Sequence, residues 1–384
     1  MKILVLGAGK MGVGVAFDLA RNPDVKRIVL ADINLENLKS ARQKIKSKKL
    51  QLRKVNVENQ TQIKKLIKGF DCVVSAVTYI HNLNLTKLCI QAKVNFCDLG
   101  GNIYIVEKQL KLNKQAKKAG ITVIPDCGLA PGMMNILAVW GASKLDRTDE
   151  LKIRVGGLPQ NPKPPLNYQL VFSVEGLINE YIEKAQILRL GKIEWVDSLT
   201  DIEEIRFPDP FGRLEAFYTS GGTSTLPLTM AHKIQNIDYK TIRYRGHCEK
   251  FKFLADSGLL SSEKIKLNGS KITPRQLTAK LLTDFLSGKD KDVVLARATV
   301  IGEKNGKKAE FTLQIIDYYD EQNHITAMQR TTAYPVSIIA QMLASGKISH
   351  KGVVPQEISV PADAFVTELA NRGIKVEESF RYLE

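Results

Sequence analysis

Met1-Lys-Ile-Leu-Val-Leu-Gly7-Ala-Gly9-Lys10-Met11-Gly12 opens the chain, and Asp32 closes the next apolar run. Residues 3–6 read as a short buried strand that enters a glycine turn and then a helix over 11–21. In that frame Gly7 suits the tight turn, Gly9 lets the backbone approach a pyrophosphate, and Gly12 lets the helix pack close to the strand. The first helical residues, Lys10 and Met11, present free N–H groups and a partial positive charge to phosphate. Asp32 ends Val29-Leu30-Ala31, where a carboxylate accepts from both ribose hydroxyls and repels a 2′-phosphate. No Arg or Lys stands at Ile33-Asn34-Leu35, so the reading is NAD rather than NADP. Strand, turn, helix, strand and acid in that order separate a dinucleotide site from a glycine turn that binds nothing.

The rest of the first third alternates in the same way. Apolar runs at 27–31, 50–55, 72–77, 94–99 and 121–125 read as parallel strands, with helices over 35–46, 60–67, 83–92 and 107–119 between them. Gly120 suits a helix end. Such alternation implies an α/β, Rossmann-type doubly wound parallel sheet, with ligand beyond the carboxyl ends of the strands. Past about residue 134 the pattern changes to strand after strand: 151–156, 168–172, 187–190, 193–196 and 237–244. A hairpin over 292–301 and 309–319 turns at Lys304-Asn305-Gly306-Lys307, and 325–330 reads as a third strand beside it. The expected organisation is a nucleotide domain over 1–130, an inserted α+β domain on an antiparallel sheet over 131–330, and C-terminal helices over 331–384 returning to the first domain.

The chain has 384 residues, 44% hydrophobic and 25% charged, which suits a soluble protein of two domains. No apolar run approaches the roughly 18 residues of a membrane span. The start lacks the basic region of a signal peptide. Five scattered cysteines form no Cys-x-x-Cys, which fits reduced thiols and a cytoplasmic setting. The histidines show no metal-ligand spacing, so no metal is expected. The formal charge is +16, and eight basic residues with no acidic one lie between Lys39 and Lys54. Without interleaved aromatic residues or a nucleic-acid motif, that run reads as a solvated helix face and not as a nucleic-acid site.

Three loops fall at the carboxyl ends of the parallel strands, beside the expected nicotinamide. They carry Ser75-Ala76-Val77, Asp98-Leu-Gly100-Gly-Asn102, and Asp126-Cys127-Gly128 through Met133. Asp126 is the candidate proton acceptor, against the alternative of a helix cap. Cys127 has no placed base to activate it and reads as packing. In the second domain Arg243-Tyr-Arg245-Gly-His247 gathers two arginines and a histidine at a strand end. Side chains two apart on a strand share a face, so Arg243 and Arg245 would grip one carboxylate, and His247 would shuttle a proton. Thr219-Ser220-Gly221 is a polar loop suited to a polar substrate, and Glu175 to a cationic group.

Several ordered strings add a resemblance to these readings. They are Gly7 to Gly12, Asp98-Leu-Gly-Gly101, Pro125-Asp-Cys-Gly-Leu-Ala-Pro-Gly132-Met-Met-Asn135, Phe172-Ser-Val-Glu-Gly-Leu177, Glu215-Ala-Phe-Tyr-Thr-Ser-Gly-Gly-Thr-Ser-Thr225, Lys240-Thr-Ile-Arg-Tyr-Arg-Gly-His247 and Arg330-Thr-Thr-Ala-Tyr-Pro335. On them the chain resembles the saccharopine dehydrogenase-like oxidoreductases over nearly its whole length, and within them the lysine 6-dehydrogenase branch. The resemblance implies oxidation of the ε-amine carbon of L-lysine to the 6-semialdehyde with release of ammonia. It also implies an inserted domain that serves substrate binding and assembly as a homodimer or homotetramer. Saccharopine or carboxynorspermidine is the alternative substrate, and a non-catalytic NAD-binding regulator is the alternative of another class.

Overall fold

The computed structural model describes residues 1–288 and 290–384. Its backbone divides into two compact units, Met1–Trp140 with Gln329–Val376, and Gly141–Met328 with Glu377–Glu384.

The first unit is built on a parallel sheet. Its strands are β1 (Lys2–Leu6), β2 (Arg27–Asp32), β3 (Leu50–Lys54), β4 (Cys72–Ser75), β5 (Asn95–Asp98) and β6 (Thr122–Ile124). They stand in the order β3-β2-β1-β4-β5-β6, and the short strand Gly352–Val353 adds to β6. All pairs are parallel, so right-handed helical crossovers cover both faces. That is why the strands read as unbroken apolar runs: residues 3–6 and 28–31 are fully buried. Chain order reverses between β1 and β4, and their carboxyl ends carry the glycine turn and Ser75-Ala76-Val77. Gly120 takes φ +73 and ends its helix with N–H bonds to the carbonyls of Ala116 and Lys117. The helix expected over 107–119 is two, Ile103–Leu110 and Asn113–Ala119.

The C-terminal segment supplies helices Ala327–Ala344 and Ala362–Ala370. The first packs, from Gln329 on, against the helix Lys10–Arg21 so closely that a Cβ on Gly14 would lie 2.8 Å from Ala333 Cβ. Beneath it Asp18 is buried and accepts from Ser337 Oγ at 2.6 Å and from Arg372 Nε at 2.8 Å.

The second unit holds a nine-stranded sheet, centred on the long strand Arg147–Pro159. Asn236–Arg243 runs parallel to that strand on one side, and Asp292–Lys304 runs antiparallel on the other. The sheet is therefore mixed, not antiparallel throughout. The expected hairpin forms between Asp292–Lys304 and Lys307–Tyr318, with Asn305 at φ +52 and Gly306 at φ +72, the left-handed pair that matches strand twist. Its outer neighbour is Glu377–Tyr382, not 325–330, which bridges only at Ile325 before entering a helix. The final residues thus belong to the second unit, whereas the expected organisation placed 331–384 with the first. Residues 168–172 form no strand; Leu170 N–H bonds Leu286 O at 3.0 Å and Gln169 Nε2 bonds Asp290 O at 2.6 Å. Helices Val174–Ile182, His247–Asp256 and Pro274–Leu286 enclose a separate apolar cluster with Phe217. Among the described residues, no helix is long and apolar enough to cross a membrane.

Candidate functional site

In the first unit the glycine turn is dictated by close approach. Gly7 has φ +99 and donates to Ala31 O at 2.7 Å, and a Cβ there would meet Ala76 O at 2.6 Å. A Cβ on Gly12 would lie 1.8 Å from Gly7 O, so the helix closes on the turn only with glycine at that position. Gly9 differs, because a Cβ there meets nothing within 4 Å. It is exposed and precedes the first turn of a helix that has no side-chain cap, with Lys10 and Met11 next. The turn thus presents an uncapped helix start to open space, the arrangement that receives a phosphate.

Asp32 is half-buried at the end of β2. Its Oδ2 accepts from Ala8 N–H at 2.6 Å and its Oδ1 from Asn34 N–H at 2.7 Å. Each carboxylate oxygen accepts more than one bond, so Asp32 closes the turn and keeps lone pairs for a ribose. The basic residues between Lys39 and Lys54 lie mostly in solvent on a nearby helix and strand. Lys49 Nζ donates to Ala20 O at 3.2 Å and Asn22 O at 2.6 Å, at a helix end.

Several residues expected to touch cofactor make bonds within the fold. Ser75 is buried and donates to Asn82 Oδ1 at 2.7 Å. Asp98 is fully buried: Oδ1 accepts from Gly100 N–H at 2.7 Å and Asp126 N–H at 3.3 Å, and Oδ2 accepts from Gln109 Nε2 at 2.7 Å. It ties the loops after β5 and β6 together, and burial pushes its carboxyl up to about 6. Ala76 and Val77 pack beneath Gly7. Gly100 has φ +66 and lies directly on the Asp126 carboxylate, where a Cβ would stand 1.5 Å from Oδ1. Gly128 receives the returning loop, its carbonyl accepting from Met133 N–H at 2.8 Å. Asp126 is buried, in the left-handed region at φ +58, at the carboxyl end of β6. Cys127 is fully buried with Sγ 3.3 Å from Ile124 O, and burial raises its thiol further, as expected of packing.

In the second unit the strand Asn236–Arg243 ends at Arg243, and Gly246 at φ +82 turns the chain into the helix His247–Asp256. Face-sharing at a spacing of two therefore stops there: Arg243 is 2% exposed, whereas Arg245 lies in solvent. The two do not grip one anion. Buried Glu215 caps the new helix, accepting from Gly246 N–H at 2.8 Å and Cys248 N–H at 2.7 Å. His247 is 1% exposed, with Nδ1 3.1 Å from Leu166 O and Nε2 2.9 Å from Tyr181 Oη. Its ring stacks on Phe251, and burial with the nearby Arg243 charge lowers its imidazolium to about 3. Both nitrogens are used, so His247 is a neutral core residue and not a proton shuttle.

Arg243 donates from Nε to Tyr181 Oη at 2.9 Å and from Nη1 to Ile242 O at 2.9 Å, and its guanidinium lies 4.7 Å from the Tyr168 ring centre. Among the described residues no carboxylate lies within ion-pair distance of it, and Nη2 makes no hydrogen bond. The other buried cations of this unit are matched. Arg154 forks onto Glu203 and Asp238, and Lys240 Nζ meets Asp201 at 3.0 Å and Glu203 at 2.9 Å.

The remaining residues expected at a substrate have partners within the fold or lie at its surface. Glu175 is a surface group paired with Arg275 Nη2 at 2.6 Å. Thr219 Oγ1 bonds Thr241 Oγ1 at 2.7 Å, and Ser220 Oγ bonds Asn179 O at 3.3 Å, so both hydroxyls fasten the loop to its neighbours. Gly221, at φ +91, opens on empty space. Sequence reading gave no place to Glu180, half-buried on the helix Val174–Ile182, whose carboxyl burial pushes up to about 7 while Arg243 pulls it down. Its signal was the Ser173 cap and the apolar Leu177, Ile178 and Tyr181 at helical spacing.

A glycine turn that opens an uncapped helix, with an acid at the end of the next strand of a parallel sheet, is the frame of a dinucleotide-binding fold. Residues 3–124 match the saccharopine dehydrogenase NADP binding domain, and 128–374 match the saccharopine dehydrogenase C-terminal domain. The chain belongs to the saccharopine dehydrogenase family. The carboxynorspermidine synthase of Vibrio cholerae is 26% identical over 97% of this chain and 96% of its own length. Rat mitochondrial alpha-aminoadipic semialdehyde synthase is 24% identical over 92% of this chain, which spans 45% of that protein's length. The saccharopine dehydrogenase [NADP(+), L-glutamate-forming] of Saccharomyces cerevisiae is 28% identical over 68% of the chain and 59% of its own length. The fold is that of the apo saccharopine dehydrogenase (L-Glu forming) structure from the same yeast, with a TM-score of 0.80 over 99% of both chains at 22% identity. The homospermidine synthase of Legionella pneumophila, solved with NAD, superposes with a TM-score of 0.70 over 99% of this chain and 91% of its own at 14% identity.

Proposed function

We propose that the chain catalyses NAD-dependent oxidation of the ε-amine carbon of L-lysine, giving the 6-semialdehyde and ammonia. The semialdehyde then closes on its own α-amine to form 1-piperideine-6-carboxylate. The observation that carries this reading is Arg243. A buried cation costs several kcal/mol unless an anion offsets it. Arg154 and Lys240 have ion-pair partners in contact, and among the described residues Arg243 has none. Its free Nη2 edge suits a carboxylate brought by the substrate. One such cation fits an amino acid with one carboxylate better than saccharopine with three.

Gly9 and the uncapped helix start would hold the pyrophosphate, and Asp32 the ribose. A nicotinamide dinucleotide bound there supplies the hydride acceptor. The carboxylate at Asp32, with no basic residue at 33–35, supports NAD. The ε-ammonium, with a free pKa near about 10.4, must lose a proton before its carbon can release a hydride. Asp126, at the carboxyl end of β6, is the proposed acceptor. Loss of proton and hydride leaves an imine; water adds to its carbon, and the nitrogen departs as ammonia.

A second reading, oxidation of a secondary amine that also carries one carboxylate, is favoured by the end-to-end match to the Vibrio protein. The experiment is reduction of NAD and of NADP with L-lysine, saccharopine and carboxynorspermidine in parallel. Lysine with NAD is the expected pair. Turnover confined to a secondary amine replaces the first reading with the second.

A further inference from the structure

Tyr168 lies in the loop ahead of the helix Val174–Ile182 and is 6% exposed. Its place is fixed: Leu170 N–H bonds Leu286 O at 3.0 Å, Gln169 Nε2 bonds Asp290 O at 2.6 Å, and the Tyr168 ring meets the His247 ring edge-on at 5.2 Å. The Arg243 guanidinium lies 4.7 Å from the Tyr168 ring centre, within cation–π contact. The phenol oxygen on the rim of that ring is buried and makes no hydrogen bond among the described residues. Burial pushes the phenol up to about 12, so it keeps its proton. The nearby Val171 N–H, which favours the bare oxygen, can only donate and leaves that proton without an acceptor.

A buried donor without an acceptor is destabilising, and phenylalanine would supply the same ring without that cost. The neighbouring tyrosines have partners for their hydroxyls. Tyr181 Oη bonds His247 Nε2 at 2.9 Å, Tyr239 Oη meets Thr241 Oγ1 at 3.4 Å, and Tyr244 Oη donates to Pro159 O at 3.0 Å. Arg243 repeats the pattern of Tyr168. Its Nε and Nη1 donate to Tyr181 Oη and Ile242 O, and its Nη2 makes no hydrogen bond among the described residues. Two unspent donors thus belong to two side chains in contact, both closed to solvent. A carboxylate supplies what they lack, several lone pairs and a charge that offsets the guanidinium.

We infer that Tyr168 is a second ligand for the substrate carboxylate, its Oη donating to the group that Arg243 Nη2 holds. The inference rests on the reading that the substrate carboxylate meets Arg243. Tyr168 is then a specificity-determining residue, whose hydroxyl separates an amine that bears a carboxylate from one that does not. Saccharopine carries carboxylates too, so the inference does not depend on which amine carbon is oxidised.

The test is Tyr168→Phe, which removes one hydroxyl and leaves the ring on Arg243. Without substrate the variant should melt no lower than wild type, because a proton with no acceptor holds nothing in the fold. With L-lysine it should lose about tenfold or more in kcat/KM, chiefly through KM, with NADH affinity unmoved. In an Arg243→Gln background the same substitution should cost less, since both side chains act on one group. A melting temperature below that of wild type would show an acceptor for the phenol within the fold. A KM within about twofold of wild type would leave the carboxylate to Arg243 alone. An equal loss with Arg243 already replaced would put the two side chains on different groups. Each of these three results overturns the inference. If Arg243→Gln raises KM by about tenfold or more while Tyr168→Phe does not, the second ligand falls and the reading of Arg243 stands. If saccharopine replaces lysine as substrate and its KM depends on Tyr168 in the same way, the lysine reading falls and the inference stands.

Discussion

Two arginines in the second unit are buried to the same degree and should respond oppositely to removal of their charge. Arg154 is 3% exposed and Arg243 is 2% exposed. Arg154 donates from Nη1 to Asp238 Oδ1 at 2.6 Å and from Nη2 to both Glu203 and Asp238 at 3.2 Å. Substituting methionine strands carboxylates in a partly buried site, which costs about 3–5 kcal/mol. Arg243→Met removes two hydrogen bonds of about 0.5–1.5 kcal/mol each and a ring contact of about 1–2 kcal/mol. Against that, it removes the desolvation cost of a buried ion with no contact ion pair, which is several kcal/mol. The net change should lie within about 1 kcal/mol of zero or favour the variant. Urea denaturation followed by far-ultraviolet circular dichroism, without substrate, reads the difference. Arg154→Met should lose several kcal/mol, and Arg243→Met almost nothing. L-lysine should protect wild type and not Arg243→Met. A loss at Arg243 equal to that at Arg154 would show that Arg243 has its counter-charge within the fold, and the argument for a substrate carboxylate would fail.

The glycine turn offers a matched pair. Gly12→Ala drives a Cβ to 1.8 Å from Gly7 O and should lower the melting temperature and abolish NADH binding together, whereas Gly9→Ala should keep the fold and lose NADH affinity, by fluorescence titration. His247→Gln should leave the pH dependence of kcat/KM between pH 6 and 10 unmoved, because the buried ring, held near about 3, is already neutral there. A profile that loses an ionisation in this variant would restore His247 as a proton carrier. Arg372→Met, which strands buried Asp18 in the first unit, should cost about 3–5 kcal/mol in urea unfolding. Asp126→Asn should lower kcat with NADH affinity nearly intact; an unchanged kcat would remove Asp126 as the proton acceptor.

Much of the first unit was legible because a parallel sheet is buried on both faces, so each strand is a short unbroken apolar run with a helix after it. Gly7, Gly12 and Asp32 were legible because steric contact and charge leave few alternatives at those positions. Asp98 and Ser75 look in sequence like any polar residue at a strand end. Only the bonds to Gln109, Gly100 and Asn82 reveal them as internal fasteners. Arg245 was misread because strand alternation was extended beyond Arg243, where the strand ends ahead of the bend at Gly246. Glu377–Tyr382 was unreadable as a strand because its residues are all exposed, which leaves no apolar alternation to mark a face. Glu180 was hidden for another reason. Nothing in the pattern around it points to Arg243, far along the chain.

The most direct test of hydride removal from the ε-carbon is isotopic. L-lysine carrying deuterium only at its ε-carbon, turned over with NAD, should yield deuterated NADH by mass spectrometry. Lysine deuterated only at the α-carbon should yield unlabelled NADH. Label arriving from the α-carbon, or no transfer from either position, would contradict the account.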